Sequence, residues 1–236
     1  MIRKKYLWIS GIVMALCMVV IIVVLNKNSA TVRVAVIDGD TGIRTTNIRH
    51  KRYVKGSHSS KVHADIVINR ILKGLYHNKD IIIYDYAVMD SDGGISEANF
   101  QKALMQARKD HAQIINFSGG FDVTQSSTHT LIRKLVNEKV VIVAAAGNNY
   151  GANADFPADV PGVVSVGSTA NGTRADYSAR GKVDVYCNGS NIQYKGNRYY
   201  GTSFAAPQYT NRLVRERLGH PKKAVWYLNK RLLAKK

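Results

Sequence analysis

A single serine near the end of the chain lies among small residues. In the stretch YYGTSFAAPQYT, residues 199–210, Gly201 and Thr202 precede Ser203 and an Ala-Ala-Pro run follows it. Small neighbours leave room for a substrate beside the hydroxyl, although the same pattern also suits an ordinary serine at a turn. A nucleophilic serine further needs a base, an acid that orients the base, and a donor for the oxyanion.

Two segments contain candidates for the acid and the base. Asp38 directly follows the apolar run VRVAVI, and Asp40 competes with it two residues later. His58 and His63 both lie in the next segment, GSHSSKVHADIV. Functional groups gather at the carboxyl ends of strands in open parallel sheets, which favours Asp38 as the acid. Taken singly, each aspartate could instead be an ordinary turn residue, and each histidine could have no catalytic role.

Two further segments, INFSGG and VIVAAAGNNYG, end apolar runs in small residues. Glycine removes the side-chain obstacle, so an extended peptide could lie beside such a backbone, and small residues could line a pocket. The candidate wall residues are Ser118, Gly119, Gly120, Ala145, Ala146 and Gly147. Asn148 follows the second run, and its amide could donate to an oxyanion.

The elements that must position these residues alternate between β-branched runs and amphipathic stretches. The runs at 32–37, 81–89, 114–117, 140–146 and 162–168 predict strands buried on both faces, hence a parallel sheet. Between them, helices are predicted at 61–75, 96–111 and 127–139, with Ser96 as an N-cap. The predicted fold class is α/β: a doubly wound, mostly parallel sheet with helices on both faces.

The N-terminus predicts a membrane-spanning helix. Residues 6–25 carry no charge and follow a basic flank in residues 1–5. About twenty helical residues span about 30 Å, the thickness of the hydrocarbon core. The run is longer than the core of an ordinary signal peptide, which favours an uncleaved anchor over a cleaved signal. The flank would stay in the cytoplasm, with a linker at 26–31 and a domain at 32–236 outside the cell.

The charge of the chain is strongly positive. Thirty-four Lys and Arg against 16 Asp and Glu give +18, which suggests anionic neighbours such as membranes or wall polymers. The basic residues are scattered and no zinc finger or RNA-binding motif is visible, so we expect no specific nucleic-acid partner. Cys17 and Cys187 lie in unrelated contexts, so neither a disulfide framework nor a metal-ligand spacing is expected.

The order of these segments resembles that of the subtilisin-like serine proteases. VAVIDG, SHSSKV, INFSGG, VAAAGNN, DFPADVPGVVSVGS and GTSFAAP follow the family's block order between residue 32 and about residue 215. GTSFAAP and AAAGN are highly specific, and VAVID moderately so. The family's histidine block usually reads His-Gly-Thr-His-Val. Alignment on His58 keeps the histidine, a small hydroxyl residue and the valine, so His58 is preferred here to His63.

The resemblance implies a role for each matching residue. Ser203 would be the nucleophile, His58 the general base and then acid, and Asp38, or alternatively Asp40, the orienting carboxylate. Asn148 and the backbone N–H of Ser203 would bind the oxyanion.

The resemblance also implies a pocket for the substrate residue before the cut. Residues 118–120 and 145–147 would form its two walls. Asp155 lies two residues before Pro157, where the family places the bottom of the pocket. A carboxylate there would favour Lys or Arg, whereas the alternative is an exposed loop aspartate.

The expected function is that of a membrane-anchored extracellular serine endopeptidase with peptide or protein substrates. The catalytic domain at 32–236 is expected to be monomeric and to need no cofactor. No metal is expected, since the family's usual acidic calcium loops are hard to find. Three alternatives stay open: a catalytically impaired homologue that binds peptides or partners, an envelope adaptor on anionic lipid or wall polymer, and secretion after signal cleavage. The joint presence of the four catalytic and oxyanion residues favours the enzyme.

Overall fold

The computed structural model describes residues 31–121 and 125–219, which are built around an eight-stranded sheet. The strands of this sheet are β1 (Val32–Asp38), β2 (Ile48–Arg52), β3 (Ile81–Ala87), β4 (Ile114–Phe117), β5 (Val141–Ala145), β6 (Val164–Ala170), β7 (Thr173–Arg174) and β8 (Val185–Asn188). A separate hairpin contains β9 (Ile192–Tyr194) and β10 (Asn197–Tyr199). The helices are α1 (His58–Ile71), α2 (Glu97–Lys109), α3 (Ser126–Asn137) and α4 (Thr202–Gly219).

The strand order places a switch in winding direction between β1 and β4. The order is β2-β3-β1-β4-β5-β6-β7, with β8 also paired to β6. All these pairings are parallel except that of β6 with β7. In such sheets, ligand sites lie outside the carboxyl ends of the strands where the winding changes direction. Asp38 ends β1 and Ser118 follows β4 at this point.

Alternate residues of the strands pack into two separate hydrophobic cores, one on each face of the sheet. On one face Val34 and Val36 of β1 pack with side chains of α1 and α4. On the other face Ala35 and Ile37 join a core that includes Phe100 of α2 and Ile132 of α3. Helices therefore cover both faces, and the predicted doubly wound α/β fold class is confirmed.

The five predicted strands and three predicted helices all form, with ends that differ by a few residues. Ser96 caps α2 as predicted, because its side chain accepts a hydrogen bond from the N–H of Asn99. Strand β2 was not predicted. Its sequence, IRHKR, is exposed at four of five positions, so it lacks the apolar signal of a buried strand.

The predicted membrane helix at residues 6–25 lies outside the described residues. Within residues 31–121 and 125–219, no helix combines the length and the apolar character needed to cross a bilayer.

Candidate active site

Asp38 ends β1 as a buried carboxylate with two close donors. Asp38 is only 1% exposed. Its Oδ1 accepts a hydrogen bond from the N–H of Gly39 at 2.7 Å and lies 2.7 Å from His63 Nδ1. Oδ2 is buried and has no hydrogen-bond partner among the described residues. A buried carboxylate held in this way favours a histidine whose Nδ1 carries the proton.

His63 lies on the second turn of α1, which packs directly against the end of β1. Ser57 caps this helix by accepting from the N–H of Ser60. A side chain at Gly39 would overlap the carbonyl of Ser60, so only glycine allows the helix to approach this closely. The approach brings His63 within hydrogen-bond distance of Asp38.

The environment of His63 favours its protonated form. Burial of the ring lowers the pKa of His63, but the negative charge of Asp38 and the hydrogen bond to it together raise the pKa above its ordinary value. The His63 side chain keeps 21% of its surface exposed, so the ring is still reachable from solvent. Its ring also lies 5.1 Å from that of Phe204, the residue after Ser203.

Asp40 faces a different partner and does not share the position of Asp38. Its carboxylate pairs with Arg52 of β2. Asp40, His50 and Asp85 together form the group of described side chains whose donor atoms could hold a metal ion. Arg52 already binds Asp40, and Arg44 lies 3.3 Å from a ring nitrogen of His50, so two cations partly match the acidic charge of this cluster.

Ser203 is the second residue of α4, where helix N–H groups have no partner within the helix. Its Oγ donates a hydrogen bond of 2.9 Å to the carbonyl of Ser118. No hydrogen bond between Ser203 and His63 occurs among the described residues. Catalytic hydrogen bonds in unliganded sites are often long or unformed, and a rotation about one side-chain bond re-aims a serine hydroxyl.

Asn148 has a fixed amide orientation. Its Oδ1 accepts from the backbone N–H of Thr202 at 2.9 Å and from the Thr202 hydroxyl at 3.1 Å. Because a backbone N–H can only donate, the atom that faces it must be the oxygen. The Nδ2 donors of Asn148 are therefore left to face outward beside the start of α4.

The two predicted pocket walls meet at Asp155. Side chains placed on Gly120 or Gly147 would overlap Asp155, and Gly147 has φ = 105°, a conformation that favours glycine. The N–H of Asp155 donates to the carbonyl of Ala146, and its Oδ1 accepts from Asn149 at 3.0 Å. The half-buried Asp155 carboxylate thus lies between the segments that follow β4 and β5.

Comparison with known proteins places this chain in a family. The subtilase family model matches residues 44–215. The chain belongs to the subtilase family. Similar proteins include the thermostable alkaline protease of Halalkalibacterium halodurans, 30% identical over 157 residues, which cover 58% of this chain and 44% of that protein. Subtilisin amylosacchariticus of Bacillus subtilis subsp. amylosacchariticus is 27% identical over 227 residues, 80% of this chain and 60% of that protein.

This subtilase also resembles solved structures in fold. A cold-adapted subtilisin-like serine proteinase superposes with a TM-score of 0.67 at 21% identity, covering 84% of this chain and 81% of that one. A mutant of the protease domain of PatA superposes with a TM-score of 0.70 at 22% identity, covering 81% of each chain. The subtilase spans less than two thirds of the length of the two curated relatives named above.

The prediction that His58 partners Asp38 is wrong, because the structure pairs Asp38 with His63. His58 is the exposed first residue of α1 and lies five residues earlier. A helix turns about 100° per residue, so the two histidines point in directions that differ by about 140°. Alignment of the subtilase histidine block on His63 keeps a small residue at Ala64 and the valine at Val67, a signal that could have identified His63.

Proposed function

We propose that this subtilase is a serine endopeptidase whose nucleophile, base and orienting acid are Ser203, His63 and Asp38. The 2.7 Å contact between His63 Nδ1 and Asp38 Oδ1 carries the proposal. This contact lies at the edge of the sheet beside the first turn of α4, which contains Ser203. Phe204 packs against the His63 ring. Structural packing alone does not require a buried acid, a histidine and a helix-start serine at one strand edge.

In the proposed reaction Ser203 Oγ attacks the scissile carbonyl carbon. His63 Nε2 takes the hydroxyl proton, while Nδ1–H donates to Asp38, which stabilises the imidazolium. The tetrahedral intermediate collapses when His63 gives this proton to the leaving amine. Water then attacks the acyl-enzyme with the same base, which releases the acid product and restores Ser203.

The oxyanion of the intermediate would bind two donors. These are Asn148 Nδ2, left free by the bonds from Thr202 to Oδ1, and the backbone N–H of Ser203 at the start of α4. Removal of one such donor costs about 2.7–4 kcal/mol of transition-state stabilisation. The base must be neutral to accept a proton, and the pKa of His63 is raised, so activity should increase as pH rises above the ordinary histidine range.

The proposed substrate preference is for Lys or Arg before the scissile bond. Its support is the position of Asp155, whose carboxylate lies against Gly120 and Gly147 in the two proposed pocket walls. A partly desolvated carboxylate attracts a cationic side chain much more strongly than an exposed one does.

The proposed location is the outer face of the cell membrane, with residues 6–25 as the anchor. The uncharged run and its basic flank, Arg3, Lys4 and Lys5, support this location.

Labelling of the full chain with a fluorophosphonate, which reacts with an activated serine, tests the enzymatic proposal. We expect the wild type to be labelled and both Ser203→Ala and His63→Ala to lose labelling, because one removes the nucleophile and the other the base. His58→Ala is the matched control and should keep it. If the folded wild type takes up no label, the chain is instead an impaired homologue that uses the cleft for binding.

Peptides that differ only in having Lys or Leu before the cut test the specificity proposal. We expect wild type to prefer Lys by about 10- to 100-fold in kcat/KM, equivalent to about 1.4–2.8 kcal/mol. Asp155→Asn keeps the shape of the side chain but removes its charge, so the preference should disappear. Asp159→Asn, an exposed position in the same loop, should retain it. An unchanged preference in Asp155→Asn would reject the assignment.

A further inference from the structure

A cavity lies at the edge of the sheet opposite to Ser203. Its volume is about 320 Å³, and its lining includes Gln113 and Val140, which immediately precede β4 and β5. The lining also contains residues at the ends of α2, α3 and α4. Its position at the amino ends of the strands separates it from the proposed active site.

Arg217 of α4 is a buried charge without a counterion in this cavity. The residue is 6% exposed, and its Nη2 is buried with no hydrogen-bond partner in the part of the chain that the structure describes. Burial lowers the pKa of the Arg217 guanidinium, and no acidic side chain acts on it in the opposite direction. In residues 31–121 and 125–219, no carboxylate forms an ion pair with Arg217. A buried charge is strongly destabilising unless it is paired, so a bound anion would stabilise this guanidinium.

Two basic residues line the same cavity in a backbone conformation that is costly for them. His111 (φ = 54°) and Lys139 (φ = 67°) follow the C-caps of α2 and α3, where glycine is the preferred residue. The backbone N–H groups of His111 and Lys139 already bond to carbonyls near the helix ends. The side chains are therefore not needed to complete these helix ends, yet both positions carry a basic residue.

The balance of charge in the cavity is positive. Arg108 is bound to Glu138 by three hydrogen bonds of 2.6–2.9 Å, so these two charges offset each other. Arg217 and Lys139 remain. The partial negative charge of helix C-termini accounts for cations at an exposed helix end, but it supplies no acceptor to the buried Nη2 of Arg217.

We propose that this cavity binds a phosphate-type oxyanion through Arg217, with Lys139 and His111 as additional donors. Arginine presents paired N–H groups that match two oxygens of a phosphate or sulfate. The volume far exceeds the roughly 30 Å³ of one water and lies near the lower end for small-molecule pockets. The cavity therefore has room for a phosphate group with a small organic substituent.

Thermal unfolding of the full chain tests this site with inorganic phosphate and with glycerol 3-phosphate at millimolar concentration. Ionic strength is held constant with sodium chloride. We expect each ligand that binds to raise the wild-type Tm by about 2–4 °C at saturating concentration. Arg217→Met keeps the side-chain bulk but removes the charge, so it should abolish the increase. Comparison of the two ligands distinguishes a site for the free ion from one for a phosphate ester.

Lys139→Gly gives a test that does not depend on tolerance of the buried substitution. Glycine relieves the left-handed backbone, so the variant should be at least as stable as wild type without ligand. We expect its affinity for the ligand to fall by about tenfold, because it loses a charged donor. Lys195→Gly is the matched control, since Lys195 also has positive φ (47°) but lies in the hairpin β9–β10 turn.

Two results would overturn the proposal. Phosphate stabilises many proteins weakly by exclusion from their surface, and that effect would be the same in every variant. A Tm increase that has the same size in wild type, Lys139→Gly and Lys195→Gly at every phosphate concentration would therefore reject a specific site. So would a wild type that responds to neither inorganic phosphate nor glycerol 3-phosphate more than to chloride.

Discussion

The hydrogen bond between His63 and Asp38 determines which ring nitrogen would act as the base in the proposed reaction. Nδ1 points at the carboxylate, so Nε2 is the atom available for a proton from Ser203. The sequence proposed Asp38 and Ser203 as the acid and the nucleophile because each lies in a distinctive motif, at the end of β1 and in the first turn of α4. It favoured His58 over His63 as the partner of Asp38, because both histidines have neighbours that partly match the family block and the choice between them depends on helix phase.

Asp85 supplies a second titrating group close to this site. Burial raises the pKa of Asp85 to about 6, although the nearby His50 lowers it. The folded state therefore holds this proton more tightly than the unfolded state, whose aspartates titrate near 3.9. Protonation of Asp85 therefore stabilises the folded state at low pH, and this stabilisation is lost as pH rises from about 4 to about 6.

Asp85→Asn should remove this part of the pH dependence. Between pH 4 and pH 7 we expect the wild-type free energy of unfolding to decrease by up to about 3 kcal/mol relative to the variant, from 1.36 kcal/mol per pKa unit. Urea unfolding at several pH values measures the difference. Asp92→Asn, at an exposed position, is the control and should follow wild type. Parallel curves for wild type and Asp85→Asn would contradict the raised pKa.

At the scale of elements, α4 is tied to the sheet by a buried polar contact. Thr210 donates to Asn116 Oδ1 of β4 at 2.8 Å, and Asn116 Nδ2 donates to the Ser118 hydroxyl at 3.0 Å. Asn116 and Thr210 are both 0% exposed. This chain of bonds connects α4, which carries Ser203 in its first turn, to the segment whose carbonyl accepts from Ser203. The two elements therefore share one fixed position.

Thr210→Val should destabilise the protein by leaving Asn116 Oδ1 buried without a donor. We expect the free energy of unfolding to fall by about 1–3 kcal/mol, the usual cost of an unsatisfied buried polar atom. Chemical denaturation measures the loss. Thr130→Val makes the same change at an exposed position of α3 and should alter stability by less than about 0.5 kcal/mol. Equal stability of Thr210→Val and wild type would show that another donor replaces the threonine.

The elements that the sequence predicted are those with a strong apolar signal. Strands β1 and β4–β6 are buried on both faces, so their β-branched runs revealed both their existence and the parallel sheet. Strand β2 and the hairpin β9–β10 carry mainly exposed side chains, so their pairing depends on tertiary contacts that composition does not record. The position of Asp155 between the segments that follow β4 and β5 was predictable only from its place relative to Pro157.

At the scale of the whole molecule, the net charge of +18 and the proposed anchor act in the same direction. Anionic lipid headgroups attract a basic domain, and this attraction weakens beyond about 8–10 Å at physiological salt. Charge alone would therefore give salt-sensitive association with a membrane. An anchor at residues 6–25 would give association that salt does not reverse.

Alkaline carbonate washing of membranes from cells that express the full chain distinguishes these cases. We expect the protein to stay with the membrane, because a spanning helix is not displaced by pH or salt. Ala15→Asp with Leu16→Asp should release it, since two charges at the middle of the run cost several kcal/mol. Asn26→Asp with Asn28→Asp adds the same charge outside the run and is the control. Complete release of the wild type would rule out the anchor.

The order of the elements along the chain also affects when the site can form. Asp38 belongs to the first described strand, whereas Ser203 belongs to the last described helix. During synthesis at about 5–20 residues per second, the ribosome makes the proposed acid and base long before the proposed nucleophile. The nascent chain therefore passes through most of its translation without the complete proposed site, and the proposed peptide cleavage could begin only after α4 has emerged and packed.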